Sequence, residues 1–189
     1  MKDIVKGLKL ECRALKKVRE EIGLDNVIVM IPFCRTLDEA ERVLSVMADN
    51  GLNRGEKGLQ IYMMCEIPSN YILAGKFAQM FDGFSIGSND LTQLILGVDR
   101  DSREMAHLFS ENDEAVKTAI REVIERAHEE ETSVGFCGQA PSDNPEYAAF
   151  LVECGIDSIS VVPDSVIDVI HKVTDAEKRS TRNLEYQIT

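Results

Sequence analysis

Two acidic residues and one thiol stand at the ends of short apolar runs. Glu66 follows Tyr62-Met63-Met64-Cys65, Asp90 closes Gly83-Phe84-Ser85-Ile86-Gly87-Ser88-Asn89-Asp90, and Cys137 sits between Phe136 and Gly138. An ionised carboxylate at the end of a buried run is costly unless it is paired or binds a cation. Two such carboxylates with coordination positions to spare suit Mg²⁺ held together with substrate oxygens. Ser88 and Asn89, just ahead of a helical pattern, can offer N–H groups and an amide to an anion at a helix N-terminus. Gly135 and Gly138 flank Phe136-Cys137 and let a backbone or ligand come close to the sulfur. Arg100, in Gly97-Val98-Asp99-Arg100-Asp101, could clamp an anion from a loop.

Each of these residues also has a plainer reading. Glu66 can be a charge at the start of a helix beside Pro68, and Asp90 an ordinary N-cap. Cys137 can be a small buried hydrophobe. Arg100 and Arg35 can be solvated surface cations. The joint pattern favours a shared site: two acids, one βα unit apart, both at the ends of apolar runs.

For these groups to meet, the elements carrying them must end on one rim. Five apolar runs (26–33, 59–68, 83–88, 133–139 and 157–162) alternate with helical patterns. The spacing predicts helices over Lys2 to Gly23, over Thr36 to Gly51 with a Thr36/Glu39 capping box, and from Ser69 to about Phe81. It predicts a short helix after Asn89, a charged amphipathic one over Asp113 to Glu131, one capped by Asp143 and Glu146, and a last one opened by Pro163. The polar stretch from Val98 to Asn112 is too long for a simple turn and is a candidate functional loop. From about Ala176 the chain reads as a polar, exposed tail, so a main unit over 1–175 and a tail over 176–189 are expected.

The order is α followed by five βα units, which predicts a parallel sheet covered by helices. An open doubly wound sheet and part of a (β/α)8 barrel both fit. A whole barrel typically takes about 250 residues, so five units look like its C-terminal portion. In either architecture ligands gather at the C-terminal strand ends. Those ends are Pro32-Phe33-Cys34-Arg35, Glu66, Ser88-Asn89-Asp90, the vicinity of Cys137, and Pro163-Asp164.

Composition narrows the function. The 189 residues carry a formal charge of −12 and few aromatics, with no basic stripe, which argues against nucleic acid and anionic membrane surfaces as partners. No apolar run approaches a membrane span. The five cysteines include no C-x-x-C pair, and the three histidines keep no ligand spacing with them. Reduced thiols in a cytoplasm are the expectation. No nucleotide-binding glycine motif, nucleophile elbow or H-E-x-x-H occurs.

Four stretches in this order (30–36, 58–70, 81–101 and 135–143) resemble the C-terminal barrel of the phosphoenolpyruvate-utilising enzymes, in their synthase branch. The resemblance implies an α/β fold: the fourth to eighth strands of a (β/α)8 barrel, all parallel. It implies Glu66 and Asp90 as Mg²⁺ ligands and Gly87, Ser88, Asn89 and Asp90 as contacts to pyruvate or phosphoenolpyruvate. It further implies Cys137 as the proton donor at the methyl or methylene carbon, and Arg100 as the residue meeting the phosphoryl group. Arg35 belongs to the same motifs without an implied role. The family chemistry is stabilisation of the pyruvate enolate by Mg²⁺, proton transfer at C3 and phosphoryl transfer from a phosphohistidine.

The same resemblance says what is lacking. None of the histidines here lies in a phosphohistidine motif, and no ATP-binding domain or first three barrel strands are recognisable. The expected partners are therefore the N-terminal barrel half and the phosphohistidine and ATP-binding domains. A non-catalytic half-barrel that binds Mg²⁺ and pyruvate weakly, or only associates, is the alternative. An open apolar edge at 26–33 predicts self-association, as a homo-oligomer or with the missing half.

Overall fold

Val29 and Ile31 in the first apolar run, and Ile61, Met63 and Cys65 in the second, are buried at every other position. That period of two is the signature of strands with one face against a core. A computed structural model describes residues 2–187, with side chains from 5 to 179. The elements are α1 (Lys2–Glu20), β1 (Val29–Ile31), α2 (Leu37–Asp49), β2 (Ile61–Cys65), α3 (Pro68–Ile72), α4 (Ala74–Ala78) and β3 (Gly83–Gly87). They continue as α5 (Ser88–Leu96), α6 (Glu114–His128), β4 (Ser133–Cys137), α7 (Ala140–Asp143), α8 (Pro145–Glu153), β5 (Ser158–Ser160) and α9 (Val166–Gln187).

The five strands form one sheet in the order β1-β2-β3-β4-β5, every pair parallel. This order decides between the two candidate architectures. A doubly wound sheet reverses its strand order at a switch point. A sheet laid down in strict sequence, with crossovers of one hand, puts every helix on one face. That is the winding of a (β/α)8 barrel, and the chain forms five of its βα units.

The helix-facing side carries Val29, Ile31, Ile61, Met63, Cys65, Phe84, Ile86, Val134 and Phe136, all buried, and packs on Ala40, Met47, Phe77, Leu91, Ile120, Ile124, Tyr147 and Leu151. The opposite side differs from the expectation of apolar residues on both faces. The parallel register aligns Tyr62, Gly83 and Ser133 in one layer, Met64, Ser85, Gly135 and Ser158 in the next, and Gly87, Cys137 and Ser160 in the last. Small and polar residues of β3, β4 and β5 thus line the concave side, with Met30, Tyr62 and Met64 on the β1 and β2 half. Below the strands, Asp82 accepts the Ile61 N–H at 2.7 Å, and Asp157 accepts that of Val134 at 2.7 Å. Each locks the start of a strand to the turn leading into another.

Several boundaries depart from the sequence reading. The helix expected over 69–81 is two, α3 and α4, broken at Leu73 (φ −109°, ψ 23°). α1 ends at Glu20, and Gly23 takes φ +85° in the turn beyond. The α2 capping box is half realised: Thr36 accepts the Glu39 N–H, whereas the Glu39 carboxylate takes the Arg35 N–H. α8 is capped by Asn144, not Asp143, which instead ends the unforeseen α7. Pro163 opens a 3₁₀ turn ahead of α9. α9 runs unbroken past residue 176, and Ala176 is buried.

Candidate active site

Glu66 leaves β2 at its C-terminal end and turns inward, so that it is only 2% exposed. Its neighbour Cys65 alternates to the helix side and is buried in the core. Burial pushes the Cys65 thiol well up, which suits a core residue and not a reactive one. Cys34, likewise buried, is pushed up to about 11. Glu66 does stand just ahead of the helix opened by Pro68, but as a buried group. Its Oε1 accepts the Phe33 N–H at 2.7 Å, and no other protein group among the described residues hydrogen-bonds the carboxylate. Burial raises the Glu66 pKa; the Phe33 N–H opposes this, and the charge of Asp90 raises it further. The two carboxylates are thus close enough to feel one another, each at the tip of an adjacent strand.

The backbone around Glu66 is fixed by a residue that the sequence reading does not single out. Asn70 is fully buried. Its Oδ1 accepts the Glu66 and Ile67 N–H groups at 3.2 and 3.3 Å, and its Nδ2 donates to the Cys34 carbonyl at 2.7 Å. One side chain therefore ties the exit of β1 to the exit of β2. Phe33, on the same β1 exit, takes φ +50°, a left-handed conformation that is costly for a residue with a Cβ.

Asp90 is not an N-cap. α5 begins at Ser88, its cap position is Gly87, and no side chain caps it. Asn89 and Asp90 fall in the first turn and are half-buried. No side chain therefore caps the leading N–H groups of this helix, at the end that attracts anions. Gly87 has a steric reason to be glycine: a Cβ there would lie 2.9 Å from the Glu66 Cβ and 3.1 Å from Met64. Ser88 is fully buried, and its hydroxyl donates to Glu111 Oε1. What it can offer a ligand is its N–H.

Cys137 is the exposed cysteine of the five, which removes the buried-hydrophobe reading. It pairs in register with Gly87 on β3 and with Ser160 on β5, and it stands on the concave side. Adjacent strands lie roughly 4.8 Å apart, so Cys137 is one strand from Gly87, which Glu66 flanks. Arg100 does not join them. It lies exposed beyond α5, its N–H bonded to Gln93 at 3.3 Å, and its guanidinium makes no hydrogen bond or ion pair among the described residues. Arg35 is bound to Glu39 and to the Phe33 carbonyl.

The donor set fits a small hard cation in part. Two carboxylates supply two oxygen ligands, one of them buried with an oxygen to spare, and Mg²⁺ commonly takes one or two carboxylates plus substrate and water. Among the described residues no group of three or more His, Cys, Asp or Glu side chains is placed to hold a metal without such help. No helix among them is long and apolar enough to cross a membrane.

A singly wound parallel sheet of five strands alternating with helices defines a partial barrel-type α/β domain, with two carboxylates and a thiol at its C-terminal rim. Residues 3–178 match the PEP-binding domain of the PEP-utilising enzymes, and the chain belongs to that family. It is similar to the phosphoenolpyruvate synthase of Synechocystis sp., at 59% identity over 89% of this chain and 21% of the relative. It is also similar to the phosphoenolpyruvate synthases of Aquifex aeolicus (58% over 90% of this chain, 20% of the relative) and Escherichia coli (52%, 89% and 21%). The chain spans about a fifth of the length of these curated relatives.

Proposed function

We propose that this chain is the phosphoenolpyruvate- and pyruvate-binding portion of a phosphoenolpyruvate synthase and carries its enolate chemistry. The observation that supports this most is the buried Glu66 carboxylate, with an oxygen unclaimed by protein donors, its pKa raised by burial and further by the charge of Asp90, and one strand away from an exposed Cys137.

Glu66 and Asp90 would hold Mg²⁺ between them. When bound, Mg²⁺ acts as a Lewis acid that stabilises negative charge on substrate oxygens. The uncapped N–H groups of Ser88, Asn89 and Asp90 orient the substrate carboxylate at the N-terminus of α5. The Cys137 thiol gives its proton to C3 of the enolate when pyruvate forms, and the thiolate takes a methyl proton in the reverse direction. In the full reaction the enolate oxygen takes its phosphoryl group from a phosphohistidine, with energy from ATP. Those domains, the rest of the barrel and the cytoplasmic setting belong to the proposal. So does Arg100 as a phosphoryl contact, which requires its loop to swing toward the rim.

Mg²⁺-dependent exchange of pyruvate methyl protons with solvent tests this reading. The unaltered chain exchanges them and Cys137→Ala does not. A chain that shows no exchange, alone or mixed with the remainder of a synthase, is a binding or association module. The free outer edge of β1, with Ile28 and Met30 exposed beside it, supports self-association or pairing with that remainder. A stable monomer in sedimentation, unchanged by the remainder, contradicts this part.

A further inference from the structure

Apart from Arg100, the irregular segment between α5 and α6 has no role in the chemistry above, yet its last residues reach back to the rim. Glu111 places a carboxylate against the Ser88 hydroxyl, and its backbone carbonyl accepts the Tyr147 hydroxyl of α8 at 3.1 Å. Burial raises the Glu111 pKa; the Ser88 hydroxyl and, less strongly, the Ala140 N–H, three residues beyond Cys137, oppose this, and Asp143 raises it a little further. The two loops it touches are themselves in contact: a Cβ on Gly138 would collide with Ser88 Oγ. A half-buried carboxylate held at this junction, with a fully buried hydroxyl aimed at it, is costly unless the junction depends on it.

We propose that Glu111 is a positioning residue that fixes the Cys137 loop against the N-terminus of α5, and so sets the sulfur relative to Asp90. Ser88 is its lever on the α5 side and Ala140 its lever on the thiol side. Tyr147 anchors the Glu111 backbone from α8, so the segment cannot follow either loop if one shifts. The functional meaning rests on the enolate reading given above; the geometric claim does not.

The test compares the unaltered chain with Glu111→Gln, Glu111→Ala and Ser88→Ala, using thermal melting as the fold control. Amide hydrogen exchange is followed by segment, and the alkylation rate of Cys137 by iodoacetamide is read at fixed pH. In Glu111→Ala, exchange over 88–90 and 138–140 rises together by about tenfold, the effect of losing a charge-assisted hydrogen bond. Cys137 alkylation changes by about threefold or more, and exchange in β1 and β2 stays as it was. Glu111→Gln, which keeps one acceptor oxygen, falls between. Ser88→Ala, which leaves the carboxylate in place, shifts Cys137 in the same direction. Loosened amides with an unchanged Cys137 rate reduce Glu111 to a local structural contact and overturn the proposal, as does no change at all. Neither readout uses substrate. Absence of pyruvate proton exchange would remove the functional reading and leave this result standing.

Discussion

The Glu66 carboxylate holds the backbone of Phe33, accepting its N–H at 2.7 Å where φ is +50°. A non-glycine residue in that region costs about 1–3 kcal/mol and persists where its surroundings over-determine it. Here the surroundings are an acid from the next strand and the Asn70 bridge to the Cys34 carbonyl. Strain and a buried charge therefore share one spot on the rim, and both cost stability that a binding site recovers only when its ligand arrives.

Replacing the charge without the shape separates these roles. Glu66→Gln keeps an acceptor for Phe33 and removes a buried negative charge beside Asp90. The metal-free chain gains about 2–4 °C in Tm, the equivalent of about 1 kcal/mol. The Tm rise produced by Mg²⁺ in the unaltered chain disappears. A fall in Tm would mean that the charge itself stabilises the Phe33 turn.

Acidification acts on the same group with a definite sign. Burial and Asp90 hold the Glu66 pKa above its unfolded value. The folded state therefore binds this proton more tightly, and its contribution to stability falls as pH rises from the unfolded pKa through the folded one. Mg²⁺ needs the deprotonated form. Its affinity drops on acidification at a pH above the ordinary carboxylate range, and binding below neutrality releases a proton. Calorimetric titration in buffers of different ionisation enthalpy reads both effects. An affinity independent of pH down to the ordinary range would show that Glu66 is not a ligand.

Asn70→Ala strips three hydrogen bonds from a fully buried position and leaves two N–H groups and a carbonyl unmatched. The expected loss is about 2–4 kcal/mol, or a Tm lower by about 5–10 °C. Thermal melting checks it. A loss below 1 kcal/mol, roughly that of one ordinary hydrogen bond, would mean that water replaces the amide and the β1–β2 junction is not held by it.

Gly138 and Gly7 make a matched pair. A Cβ at Gly138 collides with Ser88 Oγ, whereas one at Gly7 in α1 meets nothing within 4 Å. Gly138→Ala is expected to destabilise by about 1–3 kcal/mol through crowding and to alter Cys137 alkylation. Gly7→Ala stabilises by up to about 1 kcal/mol through helix propensity. Denaturant titration of both variants shows whether the Gly138 contact is a real constraint.

Much of this arrangement is legible in the residues alone, for reasons that also explain what is not. The continuous apolar run Ile61-Tyr62-Met63-Met64-Cys65, and the punctuation after it, marks β2 and places Glu66 at its end. The same signals mark the ends of β3 and β4. Strand order is set by long-range pairing and has no local signal, which is why the pattern left two architectures open. Neighbouring good caps compete locally: Asp143 and Asn144 both qualify, and packing selects Asn144. The break at Leu73 carries no glycine or proline to announce it. Asn70 and Glu111 escape notice because their partners, Cys34 and Ser88, lie 36 and 23 residues away. Even the odd length of the 98–112 loop points only to a function, not to Glu111.

A crystal structure of the chain with Mg²⁺ and oxalate, a planar mimic of the enolate, tests the central claim most directly. The account predicts one ion with a Glu66 oxygen and an Asp90 oxygen each about 2.0–2.1 Å away, oxalate completing its coordination, and the Cys137 sulfur facing the bound oxalate. An ion bound elsewhere, or oxalate seated with Glu66 still engaged only by the Phe33 N–H, would contradict it.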